Sequence, residues 1–164
     1  MREDRALWPV LTALADCLTS ELELAETPEV THLGVLAGGE VPFDVCADGG
    51  AQAWVRLATA FPSIEFPEVD GSTNSCTGLL AAQVEIGIAR CVPVPKVVGR
   101  TLALPTLEEQ LERSRLLLAD MNTMRRAVRC CMSRRDAVLG QYAPFGPAGG
   151  VIGGVWTITV SEEF

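Results

Sequence analysis

The sequence predicts an α+β fold: an antiparallel sheet of about four strands with two main helices packed on one face. Three observations carry that prediction. Two long stretches, one near the start and one over about residues 106–135, repeat apolar residues at helical spacing. Residues 80–89 alternate strictly between apolar and polar or small side chains. The order helix, several strands, long helix, final strand segregates the helices rather than alternating them with strands. The chain has 164 residues, 48% hydrophobic and 21% charged. That size suits one domain, residues 1–164, with a single core.

The first helix covers about residues 4–23, where Leu7, Val10, Leu11, Leu14, Cys17, Leu18 and Leu22 form one buried stripe and Pro28 lies just beyond the end. Two short extended segments follow, around His32 to Leu36 and Phe43 to Cys46, separated by a turn at Gly38, Gly39 and Glu40. The next strand is AQAWVRLATAF, with Val55, Leu57 and Phe61 on one face and Trp54, Arg56 and Ala58 on the other. Residues 62–78 hold two prolines, two glycines and a polar cluster and read as a long exposed loop. The clearest strand places Leu80, Ala82, Val84, Ile86 and Ile88 on one face and Ala81, Gln83, Glu85, Gly87 and Ala89 on the other.

Residues 91–105 carry Pro93, Pro95 and Pro105 and form a linker. Thr106 and Glu109 then make a capping box for the long helix, whose predicted stripe is Leu107, Leu111, Leu118, Met121, Val128 and Met132. Glu108, Glu109 and Glu112 open this helix and Arg125, Arg126 and Arg129 lie toward its end, the order the helix dipole favours. Residues 140–154 read as a second Gly- and Pro-rich loop, and VWTITVSEEF as the terminal strand with Trp156, Ile158 and Val160 facing the core.

Net charge is -8, which argues against a general nucleic-acid binder, and no apolar run approaches the roughly 18 residues of a membrane helix. The N-terminal stretch, with acids beside its first arginines, does not resemble a signal peptide. The charge is unevenly placed. Seven of the thirteen basic residues lie between Arg113 and Arg135 with one acid, Asp120, so this segment carries six net positive charges and the remainder fourteen negative. Such bipolarity suits either association of copies, acidic face to basic face, or a solvated helix matched to its own dipole. Lys96 is the only lysine, a bias expected of GC-rich coding.

The cysteines are Cys17, Cys46, Cys76, Cys91, Cys130 and Cys131. None has Cys-x-x-Cys spacing and His32 is the only histidine, so the favoured reading is reduced thiols acting as small hydrophobes. A zinc site from Cys46, Cys76, Cys91 and Cys130 is the alternative. Catalytic patterns are absent: no P-loop, no nucleophile elbow around any serine, and a glycine cluster at 149–154 that precedes a strand rather than a helix. Asp48 and Asp70 flank turns, where aspartate is common. The sequence therefore predicts no catalytic residue, cofactor or metal, and points to contact surfaces. Trp54, Arg56, Gln83 and Glu85 on open strand faces and Arg125, Arg126 and Arg129 on the long helix are the candidates.

The strings CADGGAQAWVRLATAFPS, LLAAQVEIGIARCVPVP, LEEQLERSRLLLADMNTMRRAVRCC and YAPFGPAGGVIGGVWTITV resemble the small head-to-tail connector proteins of long-tailed actinobacterial phages, and among these most the tail terminators. The resemblance runs through most of residues 45–160. It implies a structural virion protein of the phage neck, assembled in the host cytoplasm. Its expected form is a homo-oligomeric ring, usually of six subunits, that caps the tail tube and ends tube polymerisation. Its expected partners are further copies of itself, the major tail tube protein, the head-side stopper protein, and genomic DNA that passes through the lumen without specific binding. The loops at 62–78 and 140–154 would then reach neighbouring rings. Two other readings stand beside it: a head-side stopper or adaptor of the same neck, and a small cytosolic thiol or zinc protein.

Overall fold

A computed structural model describes residues 7–39, 41, 46, 50–70, 79–92, 96–98, 101–133 and 135–162. Helix α1 (Leu7–Glu23) buries Leu7, Val10, Leu11, Leu14, Ala15 and Leu18, the stripe the spacing predicts, with Cys17 and Leu22 at its margin. Five strands form one sheet: β1 (His32–Ala37), β2 (Ala51–Ser63), β3 (Leu79–Cys91), β6 (Ala137–Ala148) and β7 (Val151–Glu162), in the order β1-β2-β3-β7-β6. A separate two-stranded ribbon, β4 (Lys96–Val98) and β5 (Thr101–Ala103), leads to helix α2 (Leu107–Cys131). The architecture is α+β, as the order of elements predicts.

The sheet is mixed rather than wholly antiparallel, because β1 pairs in parallel with β2 from His32↔Gln52 to Ala37↔Leu57. Parallel neighbours need a crossover of about a dozen residues, and residues 38–50 supply it. The expected strand at Phe43 to Cys46 falls in this crossover, where residues 42–45 lie outside the described set.

The second correction concerns residues 140–154. They are not a loop but the body of an antiparallel hairpin, in which β6 pairs with β7 from Ala137↔Val160 to Ala148↔Val151. Gly149 and Gly150 form its two-residue turn with φ of 59° and 81°, the paired positive values that glycine adopts without a Cβ penalty and that match the twist of the flanking strands. Register shifts between Leu139 and Tyr142 and between Phe145 and Ala148 break the alternation, which hides the strand from a period-2 reading.

The core lies between one face of the sheet and both helices. Ala53, Val55, Ala82, Val84, Ile86, Ile88, Ile158 and Val160 meet Leu11, Leu14, Leu18, Met124, Ala127 and Val128. The alternation predicted for β3 therefore holds. Helix α2 keeps its capping box: the Glu109 amide donates to Thr106 Oγ1 at 3.2 Å, and the Thr106 amide donates to Glu109 Oε2 at 2.7 Å. Its buried face bears out Val128 and Met132 of the predicted stripe but not its leucines. Asp120, Thr123, Met124, Ala127 and Val128 are buried, whereas Leu107, Leu111 and Leu118 are 73%, 51% and 56% exposed. Only the second half of α2 lies over the sheet, so the first half buries nothing that would fix its leucines inward.

The cysteines also depart from expectation. Cys17 and Cys131 form a disulfide joining α1 to α2, with Cα atoms 6.1 Å apart. Cys46 and Cys91 form a second, joining the crossover to the end of β3 across a Cα distance of 5.3 Å. These pairs are 114 and 45 residues apart in the chain, so local spacing carries no trace of them. Cys130 is free and exposed, and Cys76 lies outside the described residues.

Candidate functional site

Two surfaces collect the predicted contact residues. The first is the sheet face turned away from the helices. Because strand side chains alternate, the residues between the core positions of β2 and β3 all point there. Trp54 stands opposite Gly87, and Arg56 opposite Glu85. Arg56 Nε donates to Glu85 Oε2 at 2.6 Å, and Arg56 Nη1 donates to the Gly39 carbonyl, so the pair also holds the start of the crossover. Both side chains are partly exposed. Gln83 continues this face beyond the β2 bulge, flanked by Thr59 and Thr159. The predicted grouping of Arg56, Gln83 and Glu85 is thus real, and the half of the face they occupy is polar and half-open.

Trp54 is placed on the predicted face but is not available for contact. It is buried in a second, smaller apolar cluster with Ala89 and Val151, against Leu36, Val41, Phe145 and Val155. Its ring lies across Gly87, where a Cβ would collide with the indole, and its centroid is 6.3 Å from that of Phe145. Phe145 occupies the matching space over Gly153. Aromatic rings laid over glycines thus seal one end of the outer face and leave the other end polar. Trp156 behaves as predicted, packing against the main core, and its Nε1 donates to the Met121 carbonyl at 3.1 Å.

The second surface is α2. Arg126 is half-exposed and donates from Nε to Glu21 Oε2 at 2.7 Å, clamping α2 to α1. Arg125 and Arg129 are exposed. The three arginines therefore divide, one spent on an internal contact and two facing outward.

Sequence reasoning missed the most deeply placed charges. Arg90 and Asp120 are both buried, and form a two-pronged ion pair: Nε to Oδ2 at 2.7 Å and Nη2 to Oδ1 at 2.7 Å. Arg90 Nη1 also donates to the Pro28 carbonyl at 2.7 Å. One arginine thus joins β3, the middle of α2 and the segment leaving α1. The only sequence signal was Asp120 as the single acid in a basic stretch. Tyr142 stacks on Trp156 with centroids 5.5 Å apart, and its buried hydroxyl has no hydrogen-bond partner among the described residues. Burial raises its pKa above the ordinary value of 10.0, and the negative charge of Asp120 raises it further.

Among the described residues no group of three or more metal-ligating side chains converges. A shallow groove of about 220 Å³ runs between α1 and β1, lined by Thr19, Leu22, Glu23, Glu29, Val30 and Leu33. Two of the four cysteines offered for zinc, Cys46 and Cys91, are bonded to each other and are spent as ligands. No helix among the described residues is long and apolar enough to cross a membrane. No family model and no curated protein matches the chain.

Proposed function

We propose that this chain is a structural protein of the neck of a long-tailed phage, a tail terminator whose copies form a ring on the last ring of the tail tube. Its roles are to end tube growth and to present a surface to the head-side stopper protein. The observation that carries the reading is the shape of the sheet. Among the described residues helices cover one face only, the other face is partly polar, and the outermost strands β1 and β6 each have one edge with no paired strand. Different edges on opposite sides suit a head-to-tail contact, which closes into a ring when the rotation per subunit permits. The resemblance of residues 45–160 to tail terminators supports the same reading. The acidic remainder of the chain suits a lumen that repels phosphate and lets DNA slide.

Electron microscopy of the particle tests this. The expected result is density for the chain between the tail tube and the head-side stopper. Density in the portal-proximal layer would transfer the chain to the stopper or adaptor role, and a particle without it would overturn the neck reading altogether. A second check targets the segment after β2. Deleting residues 68–75 is expected to leave the domain folded and block joining of heads to tails, and a normal phage yield would refute a contact role for it.

A further inference from the structure

The two ends of the sheet are built alike and charged oppositely. Two helices side by side cover about 20 Å, whereas five strands are about 24 Å wide. Each edge strand therefore stands slightly beyond its helix, and a notch opens at each end of the layer between them. At the β1 end the notch is about 220 Å³, floored by Leu22, Val30 and Leu33 and rimmed by Glu23 and Glu29. At the β6 end it is about 190 Å³, floored by Val128, Met132, Ala137 and Leu139 and rimmed by Arg129. Charge separates the two. Residues 15–37 contain five acids and no arginine or lysine, whereas residues 121–142 contain five arginines and one acid, Asp136. Glu23, Glu26 and Glu29 are exposed at the first end, and Arg125 and Arg129 at the second.

We propose that the β6 end of one copy docks on the β1 end of the next, so that the sheet and the helical layer both continue across the junction. The proposal rests on the head-to-tail ring reading and names the surfaces that make its contact. Strand direction permits it: β1 runs with β2 and β7 and against β3 and β6. A neighbour in the same orientation therefore lays its β6 antiparallel to β1 and keeps its helices on the same side.

One stagger satisfies strands and helices together. Followed through β2, β3 and β7, Ala37 is level with Leu139 and Leu33 with Pro144. An unstaggered neighbour would set β1 against Pro144, which has no amide to donate. A shift of two residues, about 7 Å, sets Ala37 opposite Ala137, and β1 against residues 137–142, which contain no proline. The even shift also keeps faces matched. Val35 and Leu139, both packed toward the core, come opposite one another, whereas a shift of one residue would turn one of them outward. On the helices, Cys17 is level with Cys131 and Glu21 with Arg126, so Glu23 is level with Arg125. The same 7 Å is about four to five helical residues, and it brings Arg129 of the neighbour level with Glu23. Arg125 then lies one turn further on, beside the segment that holds Glu26 and Glu29.

A second copy is the occupant because each end supplies what the other lacks, in a single orientation. Acid meets arginine, one unpaired strand edge meets another, and Leu33, 36% exposed in a single copy, is covered by the neighbour's strand. Arg126 takes no part, since Glu21 of its own chain holds it. The contact is heterologous, so every copy carries one end of each kind.

Sedimentation of the full chain reads this contact. The wild type is expected to grow past the mass of two chains as concentration rises at low salt. Glu23→Arg with Glu29→Arg makes both ends basic, and Arg125→Glu with Arg129→Glu makes both acidic. Each variant alone is expected to remain single with an unchanged circular dichroism spectrum, and their equimolar mixture to regain the wild-type masses. The stagger is read separately, by Ala37→Cys with Ala137→Cys in a chain that also carries Cys76→Ser and Cys130→Ser. Within one chain these positions are four strand spacings apart, at least about 19 Å, too far for a disulfide. Mild oxidation is therefore expected to link separate chains into a ladder. A wild type that stays single or stops at two chains would overturn the proposal, as would a mixture that stays single or an assembled chain that yields no ladder. A ring indifferent to the four charge reversals would overturn this contact and leave the neck reading standing, because that reading is decided by where the chain's density lies in the particle.

Discussion

Removal of the Asp120 carboxylate isolates the physics of the interior most sharply. Its partner Arg90 and Asp120 itself have side chains only 4% and 2% exposed, so neither can turn to water when the other is lost. Asp120→Ala deletes both acceptors of the 2.7 Å fork and leaves a guanidinium with one neutral partner, the Pro28 carbonyl. Breaking a buried pair from one side costs about 3–5 kcal/mol, because an uncompensated charge stays in the interior. The contrast is Arg126 with Glu21, 49% and 20% exposed, where water takes over and the loss is about 0–1 kcal/mol. Total stability of a domain is about 5–15 kcal/mol, so Asp120→Ala removes a large share of it. For a chain of this length the cost corresponds to a fall in Tm of roughly 6–20 °C.

Differential scanning calorimetry and urea unfolding measure the effect, and three companions give it meaning. Arg90→Met leaves the opposite orphan and is expected to cost a similar amount. Asp120→Asn keeps one acceptor and falls between Asp120→Ala and the wild type. Arg90→Met combined with Asp120→Leu removes both charges and fills the space, and is expected to recover most of the loss. A double variant as unstable as Asp120→Ala would refute the reasoning, since the cost would then lie in packing. A loss under about 1 kcal/mol for Asp120→Ala would refute it from the other side, by showing that the pair behaves as a surface pair.

Further expectations follow from the same contacts. Gly87→Ala drives a Cβ into the Trp54 indole and is expected to cost about 1–3 kcal/mol with a changed near-ultraviolet circular dichroism spectrum, and Trp54→Leu in that background should return part of the loss. The two disulfides among the described residues are expected to make the oxidised chain lighter than the reduced one by about 4 Da. Removing Cys17–Cys131, which spans 114 residues, is expected to lower stability by up to about 4–5 kcal/mol on loop-closure entropy, measured with Cys17→Ala and Cys131→Ala together. Tyr142 is the only tyrosine, so the phenolate absorbance reports one site. It is expected to titrate above 10.0 in the folded chain, and closer to that value in Asp120→Ala, where only the burial cause remains. The folded state holds this proton more tightly than the unfolded chain does. Its contribution is therefore fully present below pH 10.0 and lost as pH rises through the folded value, which urea midpoints on either side of that pH will show.

What the sequence disclosed follows from the range of the interactions involved. The α1 stripe, the capping box of Thr106 and Glu109 and the alternation of β3 are set by residues within a turn or two of one another, and each is where its spacing puts it. The features that were hidden join distant segments. Cys17 meets Cys131, Cys46 meets Cys91 and Arg90 meets Asp120 because β3 and the two helices converge, and no local pattern encodes that. The stripe of α2 shows a subtler failure. Its leucines share one sector and read as a buried face, but burial depends on what lies beside them, and there the helix has passed beyond the sheet. Residues 140–154 failed for another reason. Glycine and proline mark loops on average, yet here Gly153 and Gly154 make room for Phe145 and Tyr142 within paired strands. Of the predicted contact residues, Arg56, Gln83 and Glu85 share one half-open surface and Arg125 and Arg129 another, while Arg126 is held by Glu21 between the helices and Trp54 is withdrawn into packing.

That division bears on how charge is used in the chain. A net charge of -8 with a basic stretch in the second helix invites the view that opposite charges lie on opposite sides of the molecule. The contacts separate three cases. Asp120, the single acid of that stretch, is neutralised inside by Arg90, which comes from the acidic remainder. Arg126 is spent on Glu21 between the helices. Arg125 and Arg129 keep their charge for the outside, on the same ridge as the exposed leucines and a helix length away from Glu108 and Glu112. The charge that α2 keeps at its surface is therefore uneven along its axis, with Glu108, Glu109 and Glu112 exposed in its first turns and Arg125 and Arg129 exposed toward its end.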